Sequence, residues 1–235
     1  MEKPTRMRHL LCLLLLVPSL SAAPSNGPRT CRILFLGAPD SAPETLQLFD
    51  GTASQEVELP RMNLSKIYQL PAGPLVIRML TTAPAKPEAF PPDAPKAIIP
   101  EALAEFYLLV SSDSSNPIAP VKLQVIDADP VKFKNGQMLW FNLTSSSVGG
   151  RVGTENLTMA PNSKTILNAP ASTNEDYNVN LSFRLPGEDR LNPLCETKWQ
   201  HDTRTRSVLF VINQDGAGIP RVLGFSDFRE PAEKP

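Results

Sequence analysis

Short runs of alternating apolar and polar residues recur along this chain, and they limit what it can fold into more than any other feature. Val121, Leu123 and Val125 alternate with Lys122 and Gln124. Val179, Leu181, Phe183 and Leu185 alternate with Asn180, Ser182 and Arg184, and Val57 and Leu59 with Glu56 and Glu58. Successive side chains of a strand point to opposite faces, so a period of two marks strands that bury one face. No stretch carries a long helical stripe. The best candidate for a helix is short, Ile98 to Leu103, with Pro100 near its start where a helix tolerates proline. The expected class is all-β.

The second half of the chain repeats the first at an offset of about 101 positions, a domain-sized period. Tyr107-Leu-Leu-Val-Ser-Ser-Asp113 matches Val208-Leu-Phe-Val-Ile-Asn-Gln-Asp215. Ile118-Ala-Pro-Val121 matches Ile219-Pro-Arg-Val222, and each leads into an alternation that closes on Asp127 or Asp227. Earlier, Ile33 to Leu36 matches Met138 to Phe141, Val57 to Pro60 matches Leu157 to Pro161, Ser65-Lys66 matches Ser163-Lys164, and Val76 matches Val179. The first copy offers seven strands, near Arg32 to Leu36, Leu46 to Asp50, Gln55 to Leu59, Lys66 to Leu70, Leu75 to Leu80, Phe106 to Ser111 and Val121 to Asp127. Seven short strands in about 100 residues suit an immunoglobulin-like, Greek-key β-sandwich. The expectation is two tandem sandwich domains of about seven strands each, over residues 30–130 and 135–230, joined by a short junction from Ala128 to Asn135 that brings them into contact. Two connections are long: Thr81 to Ile99, rich in proline, and Pro186 to Arg206, which carries Cys195, Trp199 and His201.

The first 23 residues read as a secretory signal. Lys3, Arg6 and Arg8 precede the apolar run Leu10 to Val17, Pro18 ends it, and Ser21-Ala22-Ala23 offers a small-x-small cleavage site. Pro24 disfavours cut after Ala23, so Ser21 and Ala22 are alternatives. The run is too short for a hydrocarbon core that takes about 20 residues of helix, and no later segment is longer. The expected location is secreted or periplasmic, in the cell envelope. In such an oxidising compartment the two cysteines beyond the signal, Cys31 and Cys195, favour a disulfide over two free thiols, and such a bond would fix the orientation of the two domains. Their spacing does not fit a zinc or redox motif.

The first copy also resembles a family of secreted bacterial domains of unknown function, immunoglobulin-like in form and often in tandem. The likeness rests on Arg32-Ile-Leu-Phe-Leu, the turn Gly37-Ala-Pro-Asp-Ser-Ala-Pro43, Leu46-Gln-Leu-Phe-Asp-Gly51, and Tyr68-Gln-Leu-Pro-Ala-Gly73 before the strand Leu75 to Met79. It covers about 50 residues. Where that family has a histidine ending its first strand, Leu36-Gly37 stands here. The resemblance implies a sandwich and an exported location, and no activity.

The formal net charge of −1 lacks the basic footprint of a protein that holds nucleic acid through its phosphates. Catalysis by a serine triad needs a histidine base. Beyond the signal there is one, His201, in the charged segment Lys198-Trp-Gln-His-Asp202, and no Gly-x-Ser-x-Gly elbow accompanies it. Asp127 with Asp129, Glu101 with Glu105, and Glu188 with Asp189 are carboxylate pairs open to acid-base work or calcium binding. Asp215-Gly-Ala-Gly218 reads as a tight turn. Sequons stand at Asn63, Asn142, Asn156 and Asn180 and matter only in a eukaryotic secretory path. Trp140 and Phe141 are adjacent in a strand and read as core, whereas Trp199 is the better exposed aromatic. The expected function is therefore a non-enzymatic interaction or structural module without cofactor or metal, whose partner is an envelope protein or a polysaccharide. Trp199 and His201 are its candidate ligand contacts. A carbohydrate-binding module is the alternative, and a carboxylate-dependent glycoside hydrolase a more distant one.

Overall fold

A computed structural model describes residues 27–86, 88–213 and 219–228; the signal segment 1–23 and the turn at 215–218 lie outside the described residues. Every regular element among them is a strand. In the first half these are β1 (Arg29–Phe35), β2 (Thr45–Phe49), β3 (Ser54–Glu58), β4 (Tyr68–Leu70), β5 (Leu75–Leu80), β6 (Lys96–Ile99), β7 (Glu105–Ser112) and β8 (Val121–Asp127). In the second they are β9 (Met138–Asn142), β10 (Ser147–Val152), β11 (Glu155–Met159), β12 (Ser163–Leu167), β13 (Asp176–Arg184), β14 (Asn192–Gln200), β15 (Thr205–Asn213) and β16 (Pro220–Phe228). Among these residues no helix is long and apolar enough to cross a membrane.

The sixteen strands form four sheets of four, with orders β4-β1-β7-β8 and β3-β2-β5-β6 in the first half, and β12-β9-β15-β16 and β11-β10-β13-β14 in the second. Adding eight to each strand number of the first half gives the orders of the second. The match extends to direction: β1 runs parallel to β7 and β9 parallel to β15, while the other pairs are antiparallel. Each half thus has eight strands where the spacing indicated seven, and a parallel central pair in one of its sheets.

The extra strand is the same one in both halves. β6 occupies part of the segment expected as a helix; Ala97 and Ile99 are buried while Lys96 and Ile98 are exposed, a period of two, and Pro100 then ends the strand. β14 runs through the connection expected to be a long loop. It is an edge strand with mostly exposed side chains, and a bulge opposite Leu181 and Ser182 interrupts its pairing, so its alternation is weak in sequence.

Three apolar layers separate the four sheets. Ile33, Leu48, Ile77 and Leu108 share one core between the two sheets of the first half. Trp140, Val152, Leu181 and Leu209 share another between the sheets of the second. Between them, Leu34 and Leu109 of the first half pack with Phe141, Phe210 and Phe225 of the second, so the two halves meet face to face through their inner sheets. A strand covered on both faces has no polar alternation. This accounts for the continuous runs Ile33-Leu-Phe-Leu36, Phe106 to Val110 and Val208 to Val211, whose side chains enter two layers in turn. Trp140 and Phe141 accordingly both lie in core, on opposite faces of β9.

The expected Cys31 to Cys195 disulfide is absent, and both thiols are free. Cys31 lies in the first half's core and Cys195 borders the second half's core, with both inner sheets between them, beyond the reach of a bond that needs Cβ atoms about 3.5–4.5 Å apart. In place of a disulfide, an ionic cluster adds to the apolar layer that joins the halves. The Asp227 carboxylate, fully buried, accepts hydrogen bonds from Tyr107 Oη at 2.5 Å, from Arg206 Nε at 2.9 Å and from the Arg32 guanidinium. Arg206 also donates to the Phe133 carbonyl at 2.7 Å, lies 3.5 Å from Glu105 Oε2, and covers the Phe133 ring at 4.9 Å. Arg32 Nε donates to the Ser65 carbonyl at 2.7 Å. Asp127 is not the counterpart of Asp227. It pairs with Phe106 on β7, whereas Asp227 pairs with Arg206 on β15 and so corresponds to Ala128. One residue of offset turns a side chain to the other face, leaving Asp127 half-exposed and Asp227 in the central layer.

The proline-rich connection spans the outer sheet of the first half. Phe90 packs on Phe49 with ring centroids 5.5 Å apart, and the Arg78 guanidinium lies 4.1 Å from the Phe90 ring. Arg151 and Arg184 are exposed on the outer sheet of the other half, so they share no surface with Arg78.

Candidate functional site

At one edge of the second half the two sheets part between β14 and β16, and a groove of about 340 Å³ enters the sandwich there. Trp199 and Gln200 of β14 form one wall and Val222, Gly224 and Ser226 of β16 the other. The floor reaches inward to Tyr177, Ser207 and Leu209. A second compartment of about 240 Å³ shares Tyr177, Gln200, Ser207 and Ser226 with it and adds Gly136, His201 and Asp202. Antiparallel pairing sets Tyr177 directly opposite Trp199, with the rings edge to face at 6.3 Å. The back of the Trp199 indole is stacked on the buried Trp140 at 6.1 Å, which holds the ring at the mouth.

The first half, with the same strand order, is built differently at this place. Phe106 stands where Ser207 stands, since Leu108 and Leu209 are equivalent in the two ladders, and Val125 stands where Gly224 does. Phe106 is fully buried. Arg29, also fully buried, closes the end of that sandwich by donating to the carbonyls of Gly73, Ile99 and, at 3.2 Å, Glu101. A hollow of about 330 Å³ remains between β6 and β8, but no residue of β1, β5 or β7 lines it. The groove between β14 and β16, by contrast, reaches β13 and β15 through Tyr177, Ser207 and Leu209.

His201 follows β14 and is anchored by its backbone N–H on the Glu175 carbonyl at 2.9 Å. Its side chain is 5% exposed and its Nε2 has no hydrogen-bond partner. Burial pushes the imidazole pKa down, against the opposing pull of Asp202 and Glu175. Gly136 makes room for the ring: with φ 82° it takes a conformation that disfavours other residues, and a Cβ there would sit 3.5 Å from the imidazole and 3.4 Å from Ala169 Cβ.

The groove does not hold an assembled serine triad, because no hydroxyl bonds His201 Nε2 and both Asp202 oxygens are taken by Arg204, at 3.1 and 2.8 Å. The Arg204 bonds hold the Asp202 pKa down at about 2. The carboxylate pairs serve other ends. Asp127 and Asp129 both face Lys132 Nζ, at 2.7 and 3.8 Å. Although partial burial pulls the Asp127 pKa upward, the Lys132 contact and a backbone N–H outweigh it and keep that carboxyl ionised, the wrong state for a general acid. Glu105 joins the ionic cluster, and Glu188 and Asp189 lie exposed in a turn. Burial drives the Cys31 thiol pKa to about 12 and raises that of Cys195, which disfavours the thiolate at both. Of the sequons, Asn142 is buried, its amide donating to the Ser146 and Ala160 carbonyls at 2.7 and 2.9 Å. Among the described residues no cluster of three or more metal-ligating side chains occurs.

Trp199 and His201, the ligand contacts expected from sequence, thus line adjoining compartments of one groove, while Cys31 and Cys195 have no part in it. Sequence reading missed Tyr177, Ser207, Gly224 and Ser226. The signal for two of them lay in the repeat, as small residues where the first copy has Phe106 and Val125. No protein-family model matches the chain, and no curated protein matches it.

Proposed function

We propose that this chain is an exported, non-enzymatic interaction module of the cell envelope, in which two tandem sandwich domains act as one rigid support for a ligand seat in the groove between β14 and β16. The observation that carries this reading is the contrast between the halves: one strand order, with a groove entering between the paired sheets where Ser207 and Gly224 replace Phe106 and Val125. Rigid scaffolds that present a concave site with one aromatic wall and a few convergent polar groups are the common form of binding site. The signal-like first 23 residues support export. The test is chemical crosslinking in the native envelope fraction with the protein as bait, beside a double variant, Ser207→Phe with Gly224→Val, that rebuilds the first half's filling. A specific, stoichiometric capture by the parent and its loss in the filled variant is the expected result. Equal capture by both removes the groove from the function.

A further inference from the structure

We propose that the ligand of this groove is a neutral saccharide, seated with a ring face against Trp199 and its hydroxyls on Ser207, Ser226, Gln200, Tyr177 and His201; this rests on the reading of the groove as the ligand seat.

Three features of the lining select that chemistry. First, the groove pairs an aromatic surface with hydroxyl and amide groups: Trp199 and Gln200 on one wall, Ser226 on the other, and Tyr177 and Ser207 in the floor. A sugar ring carries an apolar C–H face and a belt of hydroxyls that both donate and accept, so it meets both kinds of surface at once. An apolar side chain from a protein partner would instead strip water from the serine hydroxyls and return no hydrogen bond.

Second, His201 is 95% covered, lines the inner compartment and has an unpartnered Nε2. A buried ring nitrogen without a partner is uncommon in a folded protein. With burial favouring the uncharged imidazole, that nitrogen can accept from a hydroxyl or, in its other tautomer, donate to one. Third, among the described residues no lysine or arginine lines either compartment, and the one carboxylate there, Asp202, is held by Arg204. Nothing is placed to neutralise a phosphate, a sulfate or a uronic acid.

The test is a glycan array spanning neutral and anionic glycans, with tryptophan fluorescence titration of any hit, on the purified protein and three variants. Binding to one or more neutral glycans with saturable change of fluorescence is expected. Trp199→Ala should weaken it about 30-fold, as loss of a central aromatic anchor does, and His201→Ala about 10-fold. The Ser207→Phe, Gly224→Val variant should abolish it. That variant is expected to fold, because a Cβ at position 224 meets Leu209 at an ordinary 3.5 Å and the groove supplies room for the ring; circular dichroism checks this. A hit confined to anionic glycans, or neutral binding that the filled variant retains, overturns the inference. If no glycan binds while the filled variant still loses its crosslinked partner, the saccharide is overturned and the groove stands as the seat of another ligand. If no glycan binds and filling changes no capture, both readings fall.

Discussion

The two halves of this protein have the same eight strands in the same order, yet one closes its core where the other opens a groove. In the first half Phe106, Val125 and the buried guanidinium of Arg29 fill the end of the sandwich; in the second Ser207, Gly224 and Gly136 leave it accessible, and Trp199 and His201 line the space. The backbone plan tolerates either choice because the ladder hydrogen bonds do not depend on what fills the interior. One strand plan can therefore carry a filled end in one copy and an open one in the other. The same division shows in the central layer, where Ala128 in one half corresponds to Asp227 in the other and only the second position carries a charge that gathers both halves.

Four experiments break or sharpen this comparison. Opening the first half with Phe106→Ser and Val125→Gly should cost about 5 kcal/mol, the upper end for emptying a buried phenylalanine site, since that side chain is 1% exposed. Urea unfolding measures it, and a loss near zero would show that the closed end is not part of the stable core. Next is Asp227→Ala, which removes the acceptor shared by Arg206, Tyr107 and Arg32, leaves the buried Arg206 with the more distant Glu105 as counter-ion, and should destabilise by about 3–5 kcal/mol. A loss below about 1 kcal/mol would mean that the apolar layer alone holds the halves together. Filling the second half with Ser207→Phe and Gly224→Val should change stability by no more than about 1 kcal/mol in either direction, because the space already exists. A large loss there would show that the groove cannot take the phenylalanine ring without displacing its walls.

The smallest effect is the pH dependence contributed by His201. Its folded pKa is depressed below the unfolded value of about 6.5, so its contribution is fully present above that value and is lost as pH falls through the folded pKa. Unfolding at pH 7.5 and at successively lower pH, with His201→Gln in parallel, should show an acid-side decline in the parent that the variant lacks. Matching curves would assign the decline to other groups.

Much of the fold was legible because a strand writes its burial into its alternation. Val121, Leu123 and Val125, or Val179, Leu181 and Phe183, could be placed on one face of a strand by inspection. β6 and β14 are both edge strands and escaped for different reasons: the exposed but apolar Ile98 masks the alternation of β6, most β14 side chains face outward, and proline borders one and lies within the other. The disulfide failed as an expectation because compartment and cysteine count say nothing of distance. Trp199 and His201 were found as the distinctive side chains of a long connection. Ser207 and Gly224 were not, since small residues acquire meaning only against the counterpart that fills the same space.

The sequence by itself determined an all-β chain, its internal repeat, and most strand positions, because each follows from a local period of two and from order along the chain. Only the tertiary structure decided that the inner sheets stack face to face, that Asp227 lies between the halves and Asp127 does not, that Cys31 and Cys195 occupy separate cores, and that one sandwich is open. These depend on which faces meet and what volume remains between them. Side chains far apart in the chain settle such matters together, and no single segment records the result.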